Sequence, residues 1–336
     1  MRWLVTGGAG FIGSHLAAEL LSLHQEVVIL DNLSSGAEAN LAAVQKKVDP
    51  EAWQHLTLLK GDIRDAATCA QAMEGVDAIL HQAAIASVPA SMKDPRTTHD
   101  VNVTGTLNLL TSALNAGVTR FVYASSSAVY GSDARSTKIE TQTGRILSPY
   151  AASKAIDEVY AQTFAEAYQM TTVGLRYFNV FGPRQDPSGP YAAVIPLWIQ
   201  STLEGKPIVI NGDGLNTRDF IPVRNVVQAN LLAATAPPLQ IAGRAFNVGL
   251  GSGTDLNTLA SLIRSMITER LARSVPPEPV HQDFRPGDIR HSTADISEAR
   301  RLLEFDPYVT FEEGLKETVD WFVEQATPSP SPSPSA

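Results

Sequence analysis

Trp3-Leu4-Val5-Thr6-Gly7-Gly8-Ala9-Gly10-Phe11-Ile12-Gly13 is the stretch on which the fold turns. Its first residues form a short apolar run suited to a buried strand, and a helical periodicity takes over across 14–23. Between them the glycines fit G-x-G-x-x-G as Gly8, Gly10 and Gly13, and equally G-x-x-G-x-x-G as Gly7, Gly10 and Gly13. Missing side chains let the backbone turn tightly and let a pyrophosphate reach the helix N-terminus, where free N–H groups attract an anion. A second buried strand is expected at Glu26-Val27-Val28-Ile29-Leu30-Asp31, which ends in an acid 18 residues past Gly13. The expected interval is about 20. A carboxylate at Asp31 accepts hydrogen bonds from an adenosine ribose and repels a 2′-phosphate, and Asn32-Leu33-Ser34-Ser35-Gly36 offers no arginine to hold one. NAD is therefore expected over NADP.

Outward from this unit, strand-like runs recur at Leu56-Thr57-Leu58-Leu59, Ala78-Ile79-Leu80-His81, Phe121-Val122-Tyr123 and Val173-Gly174-Leu175-Arg176-Tyr177. Helix-like stretches separate them, notably 103–116 and 150–168. This alternation predicts an α/β fold, a doubly wound parallel (Rossmann) sheet with helices on both faces. The expected division is an NAD-binding domain over 1–178 and a smaller α/β C-terminal substrate domain, mainly 179–326. Later segments, about 220–250, return to the first domain, with a helix at 226–236 and a strand at 245–248. The alternating prolines and serines of 328–336 predict an extended, disordered tail within 327–336.

Chemistry enters at Ser148-Pro149-Tyr150-Ala151-Ala152-Ser153-Lys154. A serine N-cap followed by proline at the first helical position starts a helix just ahead of Tyr150. Positions i and i+4 share a helix face, so Lys154 brings positive charge near the Tyr150 hydroxyl. Such a charge favours a phenolate whose ordinary pKa is about 10, giving a base that works near neutrality.

Composition narrows the partners. A formal charge of −9 argues against nucleic acid or an anionic membrane as the main partner, so a phosphate-bearing ligand must be met by local arginines. The single cysteine, Cys69, excludes an intrachain disulfide and fits a reducing compartment, and no metal-ligand spacing surrounds it. No segment reaches the roughly 18 unbroken apolar residues of a membrane span, and the expected location is the cytoplasm.

With these glycines, the Ser125-Ser126-Ser127 run, Tyr150 with Lys154, and Arg176-Tyr177-Phe178-Asn179-Val180-Phe181-Gly182, the chain resembles the extended short-chain dehydrogenase/reductase family. Within it the chain is similar to the UDP-hexose 4-epimerases, especially those acting on N-acetylated sugars. The resemblance runs from Arg2 to about Phe322. It implies Tyr150 as acid and base, Ser126 as the hydroxyl that orients the reacting 4-OH, and Lys154 as the holder of the nicotinamide ribose. Ser126 is found by counting four residues back from Tyr130-Gly131. The resemblance also implies that Phe11, Ile12, Asn32, Asp62, Ile63, Gln82, Ala83, Ala84, Asn102 and Tyr177 line the cofactor. On the substrate side it implies Ser87, Ser127, Asn179, Val194, Asn211 and Asp288, with Arg218 and Arg285 clamping the pyrophosphate. A homodimer through the helices near 105–116 and 150–168 is implied as well.

Two positions separate related chemistries. Family dehydratases and decarboxylases carry an acid two residues after the catalytic Ser or Thr, whereas this chain has Ala128. Epimerases restricted to non-acetylated sugars have a tyrosine where this chain has Ser292, and a serine leaves room for a 2-acetamido group. Two positions depart from the pattern: Ala86 stands in place of a glycine, and Asn225 in Val223-Arg224-Asn225 in place of an aspartate. The expected activity is NAD-dependent interconversion of UDP-GlcNAc and UDP-GalNAc, with UDP-glucose and UDP-galactose as further substrates. The competing readings are a UDP-glucuronate 4-epimerase, a net sugar dehydrogenase or reductase, and a non-catalytic NAD-binding protein.

Overall fold

Seven strands, Arg2–Thr6 (β1), Glu26–Asp31 (β2), Leu56–Lys60 (β3), Ala78–His81 (β4), Arg120–Ser126 (β5), Thr171–Tyr177 (β6) and Arg244–Val248 (β7), form one parallel sheet in the order β7-β6-β5-β4-β1-β2-β3. The structure is a computed structural model that describes residues 1–188, 192–272, 276–284 and 289–326. Val5 lies opposite Ile29 of β2 on one side and Leu80 of β4 on the other. The winding direction therefore reverses at β1, and a crevice opens beyond the carboxyl ends of β1 and β4.

Successive side chains of a strand point to opposite faces, and both faces of this sheet are covered. Trp3 and Val5 enter one core with Leu16, Leu20 and Val226, while Leu4 enters the other with Leu109, Leu110 and Phe121. The first face is covered by Phe11–Ser22 (α1) and Val223–Thr235, the second by Gly105–Ala116 (α2) and Pro149–Tyr168 (α3). Gly174 in β6 makes room for a neighbour, since a Cβ there would lie 2.6 Å from the Tyr123 hydroxyl.

A third core lies where Val194–Leu203 (α4), Leu256–Leu271 and Phe311–Ala326 enclose Trp198, Ile199, Ile263 and Phe322. Along the last of these helices Phe311, Leu315, Val319, Phe322 and Val323 recur at helical spacing and are buried. No helix among the described residues is long and apolar enough to cross a membrane.

The elements differ from expectation mainly at their ends. The helix expected over 103–116 begins regular winding at Gly105, because a π-helical turn occupies Asp100–Thr104. Such turns are rare and often sit at functional sites. Here Asn102 turns to the backbone of Ile85, accepting from its N–H at 2.8 Å and donating to its carbonyl at 3.1 Å. The helix expected over 226–236 starts at Val223, directly after Pro222. The tail expected over 327–336 lies outside the described residues.

Candidate active site

The loop after β1 leaves room only for backbone. A Cβ on Gly13 would lie 2.1 Å from the Gly7 carbonyl oxygen, and one on Gly7 would lie 2.8 Å from Ala83 N. Gly7 also has φ +66°, a conformation that glycine adopts without strain. Phe11 and Ile12 open α1 immediately beyond, so the free N–H groups of its first turn face the crevice. Asp31 is buried at the end of β2, where Oδ2 accepts from Ala9 N at 2.9 Å and Oδ1 from Leu33 N at 2.8 Å. A carboxylate offers about four lone-pair directions, so capacity remains for a ribose. Asn32 donates to Asp62 Oδ2 at 2.8 Å, beside Arg64, whose Nε and Nη2 reach Asp62 at 3.0 and 2.7 Å. Arg64 holds the Asp62 carboxyl well below the usual carboxylate range. Ile63 is buried against Gly105, with its carbonyl accepting from Asn108 at 3.0 Å. The narrow glycine cradle, the acid at the end of β2 and the carboxylate beyond β3 together fit an adenine dinucleotide.

Across the crevice, β4 ends in a connected polar set. Thr6 Oγ1 lies 2.6 Å from His81 Nδ1, and His81 Nε2 lies 2.9 Å from Thr106 Oγ1. Burial pushes the His81 imidazole down to about 3, so the ring is neutral. Ala83 N donates to Thr6 Oγ1 at 3.2 Å, which ties the loop carrying Ala83 and Ala84 to the glycine turn. Gln82, Tyr177 and Asn230 close a triangle: Tyr177 donates to Gln82 Oε1 at 3.1 Å, Gln82 donates to Asn230 Oδ1 at 3.1 Å, and Asn230 donates to Tyr177 at 2.8 Å. Asn102 anchors the loop ahead of Ser87 and donates to Ser153 Oγ at 2.9 Å. In this structure Asn102 therefore works as a clamp between β4 and α3.

Ser126 ends β5 opposite Tyr177 of β6. Its Oγ accepts from Ala128 N at 3.1 Å and caps a 3₁₀ turn over Ser127–Tyr130, leaving its own proton to give. Tyr150 sits in the first turn of α3, where Ser148 accepts from Ala151 N at 3.1 Å and Pro149 occupies the first helical position. Its own N–H donates to Ser91 Oγ at 3.1 Å, and both Tyr150 and Lys154 are buried. Ser87 caps the short helix Val88–Lys93 that presents Ser91.

Beyond β6 the chain brings distant residues together. Arg218 and Ser292 are register partners on parallel strands, and Asp219 N donates to Ser292 O at 3.0 Å. Asn179 donates to Asp219 O through its backbone at 3.0 Å and through its side chain at 3.1 Å. Val194 opens α4, and Asn211 ends the strand Val209–Asn211. Arg285 and Asp288 lie outside the described residues.

Several supporting residues escaped the sequence reading. The buried Asp219 carboxylate accepts from Leu250 N, Gly251 N and Ala294 N at 2.8, 3.0 and 3.0 Å, and burial pushes it up to about 6 against these bonds. Behind Ser126, Glu158 accepts from Ser125 Oγ at 2.6 Å and from Arg176 Nε and Nη2 at 2.8 Å each. The Asn225 substitution has a physical account as well. Its Oδ1 accepts from Tyr308 N and Val309 N while its Nδ2 donates to Val309 O at 2.8 Å, a donation an aspartate cannot make. A cavity of about 730 Å³ lined by His15, Lys47, Arg184, Arg224, Glu317 and Trp321 shares none of the site residues. Chemistry rather than volume locates the site.

The chain is similar to known proteins over most of its length. The profile of the NAD dependent epimerase/dehydratase family matches residues 3–249. A UDP-glucose 4-epimerase of Mycolicibacterium smegmatis is 37% identical over 324 residues, covering 96% of this chain and 98% of its own. The structure of UDP-N-acetylglucosamine 4-epimerase from Methanobrevibacter ruminantium M1, in complex with UDP-N-acetylmuramic acid, superposes with a TM-score of 0.85 at 39% identity, covering 96% and 98% of the two chains. That of UDP-glucuronic acid 4-epimerase from Bacillus cereus, with UDP-glucuronic acid and NAD, has a TM-score of 0.84 at 28% identity, covering 97% and 100%. With a cradle that fits the dinucleotide and a family match over residues 3–249, the chain belongs to the NAD dependent epimerase/dehydratase family, among the extended short-chain dehydrogenases/reductases.

Proposed function

We propose that the protein is a UDP-sugar 4-epimerase that interconverts UDP-GlcNAc and UDP-GalNAc, with UDP-glucose and UDP-galactose as further substrates. The observation that carries the substrate assignment is the pairing of Arg218 with Ser292 on adjacent strands. It supports a pocket in which a cation for the pyrophosphate lies next to a small residue that leaves space for a 2-acetamido group. Within the site Ser126 donates to the sugar 4-oxygen and Tyr150 takes the 4-OH proton, later returning it. Bound NAD supplies the reversible acceptance of the C4 hydride. Lys154 holds the nicotinamide ribose and supplies the positive charge beside Tyr150. Ala128, where an acid would assist elimination, leaves reduction as the exit of the 4-keto sugar: on the original face this returns the substrate, and on the other face, after the sugar turns about the pyrophosphate, it gives the epimer. Arg218, Asn179, Asn211 and Val194 hold the nucleotide end while the sugar end turns, and Arg285 and Asp288 are assigned to the same end.

The division at residue 178 and a homodimer through α2 and α3 are part of this reading. Ile156, Val159 and Tyr168 on α3 are exposed and apolar, which supports a partner helix there. The UDP-glucuronate alternative is favoured by the same missing acid at 128 and by the Bacillus cereus likeness reported above.

The test is proton NMR of the purified protein with UDP-GlcNAc and no added cofactor. Appearance of the UDP-GalNAc anomeric signal is the expected result, and it disappears in Tyr150→Phe while UDP-sugar binding remains. Turnover of UDP-glucose without UDP-GlcNAc would overturn the Ser292 assignment. Turnover of UDP-glucuronate alone would select the second reading.

A further inference from the structure

Lys154 does not stand alone on α3. Its Nζ lies 3.2 Å from Oδ2 of Asp157, one turn further on, and both side chains are almost completely buried. Among the described residues Asp157 is the only carboxylate within ion-pair distance of Lys154. The other Asp157 oxygen, Oδ1, has no hydrogen-bond partner. An isolated buried carboxylate is costly, and a surface-facing polar residue would serve a helix equally well, so this placement calls for a reason.

The groups around Asp157 leave Lys154 as its counter-charge. From β4, the neutral His81 faces Lys154 and adds no charge to the pair. From β5, Tyr123 faces it, with burial holding the phenol protonated. From α2, the Thr106 hydroxyl faces it but gives its proton to the Asn102 carbonyl at 2.5 Å. On α3 itself, the neighbouring Glu158 is engaged by Arg176 of β6. Burial, with Lys154 opposing, pushes the Asp157 carboxyl up to about 6, so above that pH it carries its charge.

We propose that Asp157 is a positioning residue for the reaction: its carboxylate anchors the Lys154 ammonium and offsets part of the positive charge that Tyr150 feels, thereby setting the pH window of the catalytic base. The inference rests on the roles given above to Tyr150 and Lys154. Its sign follows from charge alone. Removing one negative charge from a buried cluster weakens proton binding at every neighbour. Tyr150 then ionises at lower pH, and Lys154 also loses its proton at lower pH, so both edges of the working window move the same way.

Asp157→Asn tests this, because the carboxamide keeps the shape and an acceptor for Lys154 while removing the charge. The first readout needs no substrate: an ultraviolet difference titration of NAD-loaded protein, each form measured against its Tyr150→Phe counterpart to isolate the Tyr150 phenolate. The midpoint is expected to fall by about one pH unit in Asp157→Asn and to stay in place in Asp157→Glu. The kcat/KM profile for UDP-GlcNAc should move downward at both limbs by a similar amount. A folded, NAD-loaded Asp157→Asn whose midpoint is unmoved, or moves up, overturns the proposal even if the enzyme epimerises normally. Should that variant fail to fold, Asp157→Ser removes the same charge and is read in the same way. Absence of epimerase activity in the unmodified protein would instead count against the proposed function, and the phenolate titration would still decide the role of Asp157.

Discussion

Glu158→Gln should destabilise the fold by about 3 kcal/mol, through the cation it leaves behind. In a mostly buried ion pair, removing one partner costs about 3–5 kcal/mol because the other charge remains without compensation. The Arg176 side chain is 8% exposed and that of Glu158 16%, and two 2.8 Å charge-assisted bonds join them. Arg176 would keep its bonds to Tyr130 Oη at 3.1 Å and the Glu140 carbonyl at 2.9 Å, which places the loss at the lower end of that range. A glutamine amide also turns its N–H groups toward the guanidinium in either orientation, because Arg176 bonds to both Glu158 oxygens. The assay is equilibrium urea unfolding, with the midpoint shift multiplied by the slope. Replacing both partners, Glu158→Leu with Arg176→Met, should recover most of the loss, since an apolar pair leaves no charge stranded. Activity should fall with the single variant, because Ser125 adjoins Ser126. A single-variant loss under about 1 kcal/mol, or a double variant as damaged as the single one, would refute the reasoning.

Gly13→Ala would drive a Cβ to 2.1 Å from the Gly7 carbonyl oxygen. The strain is about 3 kcal/mol, roughly hundredfold in NAD affinity, and protein that keeps its nucleotide through purification would contradict it. Ser292→Tyr should lower turnover of UDP-GlcNAc about tenfold or more while sparing UDP-glucose; equal losses on both would show that residue 292 does not face the acetamide. His81 is buried with its folded pKa down at about 3, below the ordinary value of 6.5. The folded state therefore binds fewer protons, and the stability His81 contributes above pH 6.5 is lost as the pH falls toward 3. That slope approaches about 1.4 kcal/mol per pH unit. Urea midpoints measured from neutral to acid pH should show it, and His81→Gln should flatten it.

The fold was legible where a local pattern and a tertiary role coincide. The glycines after β1 are demanded by backbone approaches of the kind Gly13 makes to Gly7, and the serine cap and proline ahead of Tyr150 start α3 at the expected place. Legibility faded where function depends on contacts between distant segments. Asp219 reads as an ordinary loop acid until the fold brings Leu250, Gly251 and Ala294 to its oxygens. Asp157 and Glu158 are adjacent acids on a helix whose partners differ entirely, one facing Lys154 and the other Arg176. Short strands such as Thr217–Arg218 carry too few residues for a periodicity to register. The π turn at Asn102 likewise depends on Ile85, which sits on another segment.

The place of β7 has a consequence for how the molecule is made. This strand, Arg244–Val248, seals the edge of β6, every residue of which is buried. A ribosome must therefore release the chain through Val248 before the sheet gains its last strand. Until then β6 presents a row of unpaired N–H and C=O groups, an invitation to pair with another nascent chain. A fragment cut after residue 178 would retain the glycine cradle yet expose that edge permanently, so aggregation rather than loss of nucleotide affinity would be its first failure.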